Sequence, residues 1–164
     1  GYWVEDSTAL LGPITIRHVG MALVIAYGLL VVFVLYRRWR APASQPAAAA
    51  DAIQQIGTFF AAGLLIFGFF MLATEMHERY ILPALAPLAL TAALLRPARL
   101  PFVLLSATAF LNLIHVLPLT RDQIALMERL PDIRFAISAA NTALLVWWTW
   151  LFVRGKRTVE RSGW

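Results

Sequence analysis

The segment from residue 53 to residue 73, IQQIGTFFAAGLLIFGFFMLA, decides the fold because it contains no charged side chain. A helix of about 20 apolar residues crosses the roughly 30 Å hydrocarbon core of a bilayer. Backbone groups find no water there, so helix is the practical state for a span. The chain as a whole is 60% hydrophobic and 14% charged, with a mean hydropathy of +0.71, which is typical of membrane proteins.

Four further apolar segments resemble this one in length and composition. They lie at His18–Tyr36, Ile81–Leu95, Leu100–Pro118 and Arg134–Val153. We therefore predict an all-α polytopic transmembrane bundle with about five spanning helices, forming a single membrane module over residues 1–164.

The connections between the predicted spans are short. Residues 41–52, APASQPAAAADA, predict a linker on the inner side, and residues 121–130 predict a short helix on the outer surface. Because the chain starts with Gly on the outer side and carries no signal sequence, we expect a carboxy-terminal part of a longer protein.

The basic residues predict the orientation of the bundle. If the amino terminus lies outside, nine of the fourteen basic residues fall on the inner side, as the positive-inside rule favours. These nine are Arg37, Arg38, Arg40, Arg96, Arg99, Arg154, Lys156, Arg157 and Arg161. The net charge of +5 is thus a topology signal and does not indicate nucleic-acid binding, because no basic stretch alternates with stacking aromatics.

The third span is too short for a simple crossing. Ile81–Leu95 would form only about 22 Å of helix. Either the bilayer thins locally, or the span begins earlier, near residue 79, and takes part of His77–Tyr80 into the outer half of the membrane. Pro83 and Pro87 predict a bent or broken helix, whose free backbone groups are tolerated only beside protein or a wet cavity. The charged cluster that precedes this span, TEMHERY at residues 74–80, is therefore expected to border an outward-opening polar cavity.

The cluster contains side chains suited to a phosphate ligand. Arg79 is a permanent planar cation, and His77 donates a hydrogen bond or carries a proton near neutral pH. Glu78 can orient either one, and Tyr80 offers a ring face and a hydroxyl. The alternative is an interfacial charge cap, in which a pair between Glu75 and Arg79 neutralises the arginine.

Two polar stripes on later spans are expected to face the same cavity. The first comprises Thr108, Asn112 and His115, and the second comprises Arg134, Ser138, Asn141 and Thr142. The alternative is hydrogen bonding between helices without a ligand. His18 and Arg17 either join these stripes or are interfacial. No metal site is predicted, because the chain has no cysteine and no second histidine at ligand spacing from His77.

At residues 76–90, MHERYILPALAPLAL, the chain resembles bacterial integral-membrane glycosyltransferases of the GT-C class, particularly mannosyltransferase-like proteins. The Asn112-Leu113 pair is similar to a pair in a later span of those proteins. The resemblance implies sugar transfer from a polyprenyl-phosphate donor at the extracytoplasmic face of a bacterial cytoplasmic membrane. It implies that His77 and Arg79 lie near the donor phosphate and that Glu78 and Tyr80 shape the pocket. Asn112 and His115, from the polar stripe expected to face the same cavity, are also predicted to bind the donor.

The resemblance also implies that the catalytic carboxylate belongs to an amino-terminal half outside this chain, so the catalytic residue is unknown and this part alone is expected to be inactive. The expected partners are the lipid-linked sugar, membrane lipids and that missing half. No cofactor is predicted, and a requirement for a divalent metal stays open. The alternatives are half of a transporter or flippase, or a non-catalytic membrane assembly subunit.

Overall fold

The computed structural model describes residues 8–40, 47–73, 81–116 and 134–155. These residues form five α-helices, with a short β-hairpin before the first helix and a turn of 3₁₀-helix, Arg96–Ala98, before the fourth. The helices are α1 (Ile16–Trp39), α2 (Ala47–Leu72), α3 (Leu82–Leu94), α4 (Arg99–Val116) and α5 (Arg134–Arg154). The predicted all-α helical bundle is confirmed.

Four of the helices are long and apolar enough to cross a membrane, namely α1, α2, α4 and α5. Helix α3 is apolar but has only 13 residues, so at 1.5 Å per residue it measures about 20 Å. The described helix of the third span is thus short and begins at Leu82, whereas the predicted start of the span near residue 79 lies outside the described residues. The surface helix predicted at residues 121–130 lies outside the described residues.

The linker predicted at residues 41–52 is wrong in its second half. Helix α2 begins at Ala47, six residues before the predicted span. The physical reason is the alanine run from residue 47 to residue 50, because alanine has the highest helix propensity of all residues.

Helix α2 lies at the centre of the bundle and packs against α1, α3 and α5. Its side chains Phe60, Leu64 and Phe67 are at most 2% exposed. Trp148 and Phe152 of α5 pack edge-on against the Phe60 ring, with ring centroids 5.4 Å and 5.1 Å away. Helix α1 is peripheral, since 11% of the residues in its most apolar stretch are buried, whereas 33% are buried in the corresponding stretches of α2 and α5.

Consecutive described helices run in alternating directions, which places their arginines together. The carboxyl ends of α1 and α5 lie at one end of the bundle, where Arg38 of α1 contacts Phe152 of α5. The 3₁₀ turn between α3 and α4 packs on α5 at the same end. We call this the arginine end; its described arginines are Arg37, Arg38, Arg40, Arg96, Arg99 and Arg154.

Proline does not break α3 as expected. Pro83 lies in the first turn, where a missing amide hydrogen costs nothing, and the helix continues through Pro87 to Leu94. Pro87 cannot donate to the carbonyl of Pro83. One turn later, the buried Thr91 hydroxyl donates to the Pro87 carbonyl at 2.9 Å. The helix is continuous over Leu82–Leu94, so of the two predicted forms, bent or broken, the broken form is wrong for the described residues and the bent form stays a prediction.

The hairpin before α1 was not expected from the sequence. Strands β1 (Ala9–Leu11) and β2 (Ile14–Thr15) pair antiparallel, with Leu11 opposite Ile14. Gly12 adopts a positive φ of 55° in the connecting turn, a conformation that glycine reaches without steric cost. The Gly12-Pro13 dipeptide is a typical turn signal, but the apolar residues on both sides of it do not indicate strands by themselves.

Candidate functional site

The charged cluster expected to form the site lies outside the described residues. His77, Glu78, Arg79 and Tyr80 belong to residues 74–80, which the structure does not describe. The description resumes at Ile81, whose side chain is fully buried in the core directly before α3. The predicted role of the cluster therefore stays a prediction.

The two other predicted site residues lie on α4, towards the end of the bundle opposite the arginine end. The Asn112 side chain is 7% exposed, so it faces the protein interior. His115 lies one turn further along the same helix, and its side chain is outside the described part. The structure thus places Asn112 inside the bundle and leaves its predicted contact with a donor untested.

A hydrogen bond between α4 and α5 forms a polar layer one turn from Asn112. The Thr108 hydroxyl lies 2.7 Å from the side-chain oxygen of Asn141, and 3.0 Å from the Leu105 carbonyl. A hydroxyl has one proton, so it donates to one of these oxygens at a time. With the Asn141 amide turned by 180°, its NH₂ group donates to Thr108, whose hydroxyl then donates to Leu105.

The inward orientation expected of the polar stripes is confirmed for Thr108, Asn112 and Asn141, whereas the side chains of His115 and Arg134 lie outside the described part. On α4, Thr108 is half-buried and Asn112 is buried; on α5, Asn141 is 2% exposed. Ser138 and Thr142 are exposed, so the expectation is wrong for both of them. The Thr142 hydroxyl instead donates to the Ser138 carbonyl at 2.9 Å, which satisfies it within its own helix.

His18 acts locally at the start of α1. Its ring nitrogen Nδ1 lies 3.2 Å from the Thr15 amide nitrogen and 2.8 Å from the Thr15 hydroxyl. An amide can donate only to an unprotonated nitrogen, so the ring proton is on Nε2. His18 and Arg17 are both exposed. Of the two roles left open by the sequence, the geometry favours an interfacial helix cap for His18.

A second polar contact inside the membrane region joins α1 to α5, and the sequence did not reveal it. The Tyr27 hydroxyl lies 2.8 Å from the Thr149 hydroxyl. Thr149 donates to the Leu145 carbonyl at 2.7 Å, so Tyr27 is the donor in the Tyr27–Thr149 bond. The available signal was a tyrosine in mid-span, whose hydroxyl needs an acceptor when buried. This pair fixes the two helices but shows no chemistry of its own.

Five of the six arginines at the arginine end make at least one of two kinds of contact. The first kind is a hydrogen bond to a backbone carbonyl. Arg38 and Arg99 are held by backbone carbonyls: Arg38 donates to Phe152 near the end of α5, and Arg99 donates to Ala92 of α3 at 3.3 Å. Both cap carbonyls that have no partner within their own helix end.

The second kind of contact is a guanidinium group over an aromatic ring. Arg38 makes it as well, with its guanidinium carbon 4.6 Å from the centroid of the buried Phe152 ring. Three further arginines lie over exposed rings. Guanidinium carbons are 5.9 Å, 5.1 Å and 4.5 Å from ring centroids in the pairs Arg37–Phe33, Arg40–Tyr36 and Arg154–Trp150. Each pair has the same spacing, with the ring four residues before the arginine. That spacing was visible in the sequence, but only the aromatic belt was inferred from it.

Within the described ranges, no three His, Cys, Asp or Glu side chains are arranged to hold a metal ion. The polar layer formed by Thr108 and Asn141 consists of neutral hydroxyl and amide groups, which can position a ligand by hydrogen bonds. Searches with protein-family models, among curated proteins and among solved structures found no match to this chain.

Proposed function

We propose that this chain is the donor-binding part of a membrane glycosyltransferase that uses a polyprenyl-phosphate sugar at the extracytoplasmic face. The support from the sequence is the resemblance at residues 76–90. In this proposal the Arg79 guanidinium and the His77 ring contact the donor phosphate, while Glu78 and Tyr80 shape the pocket. Stabilising a departing phosphate is an electrostatic task, for which a fixed arginine is well suited.

The observation that carries the proposal is the length of α3. At about 20 Å, this helix is some 10 Å shorter than a typical hydrocarbon core. With Arg96 of the 3₁₀ turn and Arg99 directly after it at one interface, α3 starts well inside the opposite leaflet. Ile81, the residue directly before α3, follows the charged cluster at residues 74–80 in the sequence. A lipid phosphate meets the protein at that side of the bilayer, and the proposal places the two together.

Two buried side-chain amides support a donor site at the same end of the bundle. Helix α4 ends towards the same end of the bundle at which α3 begins, because the two helices are joined at the arginine end and run in opposite directions. Asn112 and Asn141 are buried in the half of the bundle away from the arginines. Polar groups at membrane depth are costly and mark functional sites more often than chance. In the proposal, Asn112 and His115 supply hydrogen bonds to the sugar or its phosphate.

The test is binding of a polyprenyl phosphate to the purified chain in detergent, measured by native mass spectrometry. The variants are Arg79→Ala, Arg79→Lys and His77→Ala, with Arg17→Ala as the control. Losing a hydrogen bond to a charged group typically costs about 1.5–3 kcal/mol, so Arg79→Ala is expected to weaken binding roughly 10- to 100-fold. Arg79→Lys is expected to bind with intermediate strength, because lysine keeps the positive charge but lacks the planar guanidinium group that donates two parallel hydrogen bonds.

Equal helicity of all variants is required before binding is compared. Retention by wild type and by Arg17→Ala, with loss in Arg79→Ala and His77→Ala, would support the donor pocket. Equal binding by every folded variant would instead assign the cluster to an interfacial charge cap.

A further inference from the structure

We infer that the arginine end binds the phosphate groups of anionic phospholipids through Arg37, Arg40 and Arg154. We call these three residues and the rings beneath them the stacked arginines. The inference concerns the end of the bundle opposite the proposed donor pocket, and it does not depend on that proposal.

The first observation is the sign of the charge at this end. Six arginines lie there, and within residues 8–40, 47–73, 81–116 and 134–155 the sequence has one carboxylate, Asp51. Asp51 is exposed near the start of α2. The described surface at this end is therefore strongly positive, and its complement is an anionic surface.

The second observation is the direction in which the three guanidinium groups point. Side chains on a helix lean towards its amino terminus, so an arginine folds back over the residue four positions earlier. Helices α1 and α5 both end at the arginine end. Folding back therefore moves each guanidinium one turn, about 5.4 Å, towards the bilayer centre. The usual behaviour of interfacial arginine is the reverse, with the charge extended into water.

The third observation is the surroundings of these cations. Tyr36 and Trp150 are 49% and 47% exposed, and Phe33 is 56% exposed, so the rings lie on the lipid-facing surface. Stacking on a ring occupies one face of the guanidinium and leaves its N–H edge available. Ring stacking is too weak to replace full hydration of a cation. A phosphodiester at headgroup depth supplies the missing acceptors and matches the fork of the guanidinium.

Arg38 and Arg99 show that the arrangement is selective. Their guanidinium groups donate to the backbone carbonyls of Phe152 and Ala92, so these two arginines serve the helix ends. Arg37, Arg40 and Arg154 are exposed, and they are the three whose guanidinium lies over an exposed ring. The structure thus separates arginines that hold the bundle from arginines that present a charged edge to lipid.

The experiment compares the lipids that remain bound when the chain is released from mixed micelles in a mass spectrometer. The micelles contain equal amounts of phosphatidylglycerol and phosphatidylcholine with the same acyl chains. Variants are the triple change Arg37→Gln, Arg40→Gln and Arg154→Gln, the matching triple change to Lys, and the single changes Arg40→Gln, Arg96→Gln and Arg17→Gln. Arg96 is an exposed arginine at the same end, and Arg17 lies at the opposite end.

Wild type is expected to prefer phosphatidylglycerol, and each stacked arginine removed is expected to lower that preference about fivefold. Arg96→Gln and Arg17→Gln are expected to keep most of the preference for phosphatidylglycerol, and the triple lysine variant is expected to keep part of it. If the triple glutamine variant does not fold, the single change Arg40→Gln is expected to show a measurable loss of the preference.

Three outcomes would overturn the inference. The first is an unchanged preference in the folded triple glutamine variant. The second is an equal loss in Arg96→Gln and Arg40→Gln, which would show a general charge effect without a role for the rings. The third is loss of the preference in excess inorganic phosphate, which would show that the chain binds the free anion and not the lipid.

Discussion

At the scale of single residues, two glycines of α2 set how closely its neighbours approach. A Cβ atom on Gly63 would lie 2.6 Å and 2.7 Å from side-chain atoms of Leu88 in α3. On Gly68, a Cβ atom would overlap the ring of Tyr27 in α1. Leu88 is fully buried and has no room to move aside. Small residues at such positions let membrane helices pack closely, which supplies most of their mutual attraction.

We predict that Gly63→Ala destabilises the bundle by about 1–3 kcal/mol, because the added methyl group overpacks the contact with Leu88. The matched control is Gly28→Ala in α1, where the nearest atom, on Leu65, is 3.9 Å from the built Cβ, an ordinary contact distance. The control is expected to be neutral or slightly stabilising, because alanine favours helix over glycine. Unfolding in detergent with increasing dodecyl sulfate measures both. Equal stability of the two variants would contradict the close approach at Gly63.

At the scale of elements, the sequence predicted the long helices well and the orientation of their polar residues less well. An uncharged run of about 20 residues has few alternatives to helix in lipid, so α1, α2, α4 and α5 followed from hydropathy. Spacing placed Asn141 and Thr142 in one stripe, but adjacent residues differ by about 100° around a helix. Only Asn141 faces α4. Its pairing with Thr108 depends on how the two helices pack, and no local sequence pattern encodes that packing.

The candidate site was predictable only in part. The burial of Asn112 followed from its place on a polar stripe of α4. The Tyr27–Thr149 bond joins residues 122 positions apart in the chain, and the stacking of Arg154 on Trp150 depends on rotamers. The Tyr27–Thr149 bond arises from three-dimensional packing and leaves no periodic signal. The four-residue spacing of Trp150 and Arg154 is visible in the sequence, but the spacing alone does not fix the rotamers. The roles of His77 and Arg79 stay predictions.

We predict a favourable coupling between Thr108 and Asn141 in a double-mutant cycle made with Thr108→Val and Asn141→Leu. Interhelical hydrogen bonds of this kind average about 0.6 kcal/mol and reach about 1.7 kcal/mol in membrane proteins. The control is a second cycle that pairs Thr142→Val with Asn141→Leu. The exposed Thr142 hydroxyl bonds within its own helix, so no coupling through a contact between helices is expected. Dodecyl sulfate unfolding of each set gives the coupling energy. Coupling as large in the control would refute a specific contact between α4 and α5.

At the scale of the whole molecule, the arginine end and the cysteine-free sequence make orientation directly measurable. Six described arginines lie at one end of the bundle, and Arg17 and Arg134 lie on helix starts at the other. The positive-inside rule then favours a cytoplasmic arginine end and an external amino terminus. Each single cysteine added to this chain reports one position without background.

We predict that Thr8→Cys reacts with a membrane-impermeant maleimide in intact bacterial cells, whereas Pro97→Cys reacts only after the membrane is opened. Both positions are exposed in the structure, and neither change alters the number of arginines that set the orientation. The unsubstituted chain is the control and is expected to show no labelling. Labelling of Pro97→Cys in intact cells, with Thr8→Cys protected, would show the opposite orientation.

The central position of Trp148 and Phe152 has a consequence for how the protein is made. Both rings pack on Phe60, and Trp148 is synthesised 88 residues after Phe60 (148 minus 60). At roughly 5–20 residues per second, Phe60 waits about 4–18 s for its partner. In water such a wait would invite aggregation, but acyl chains are as apolar as the missing rings. The surrounding lipid therefore serves as a temporary partner for α2 until α5 emerges from the ribosome.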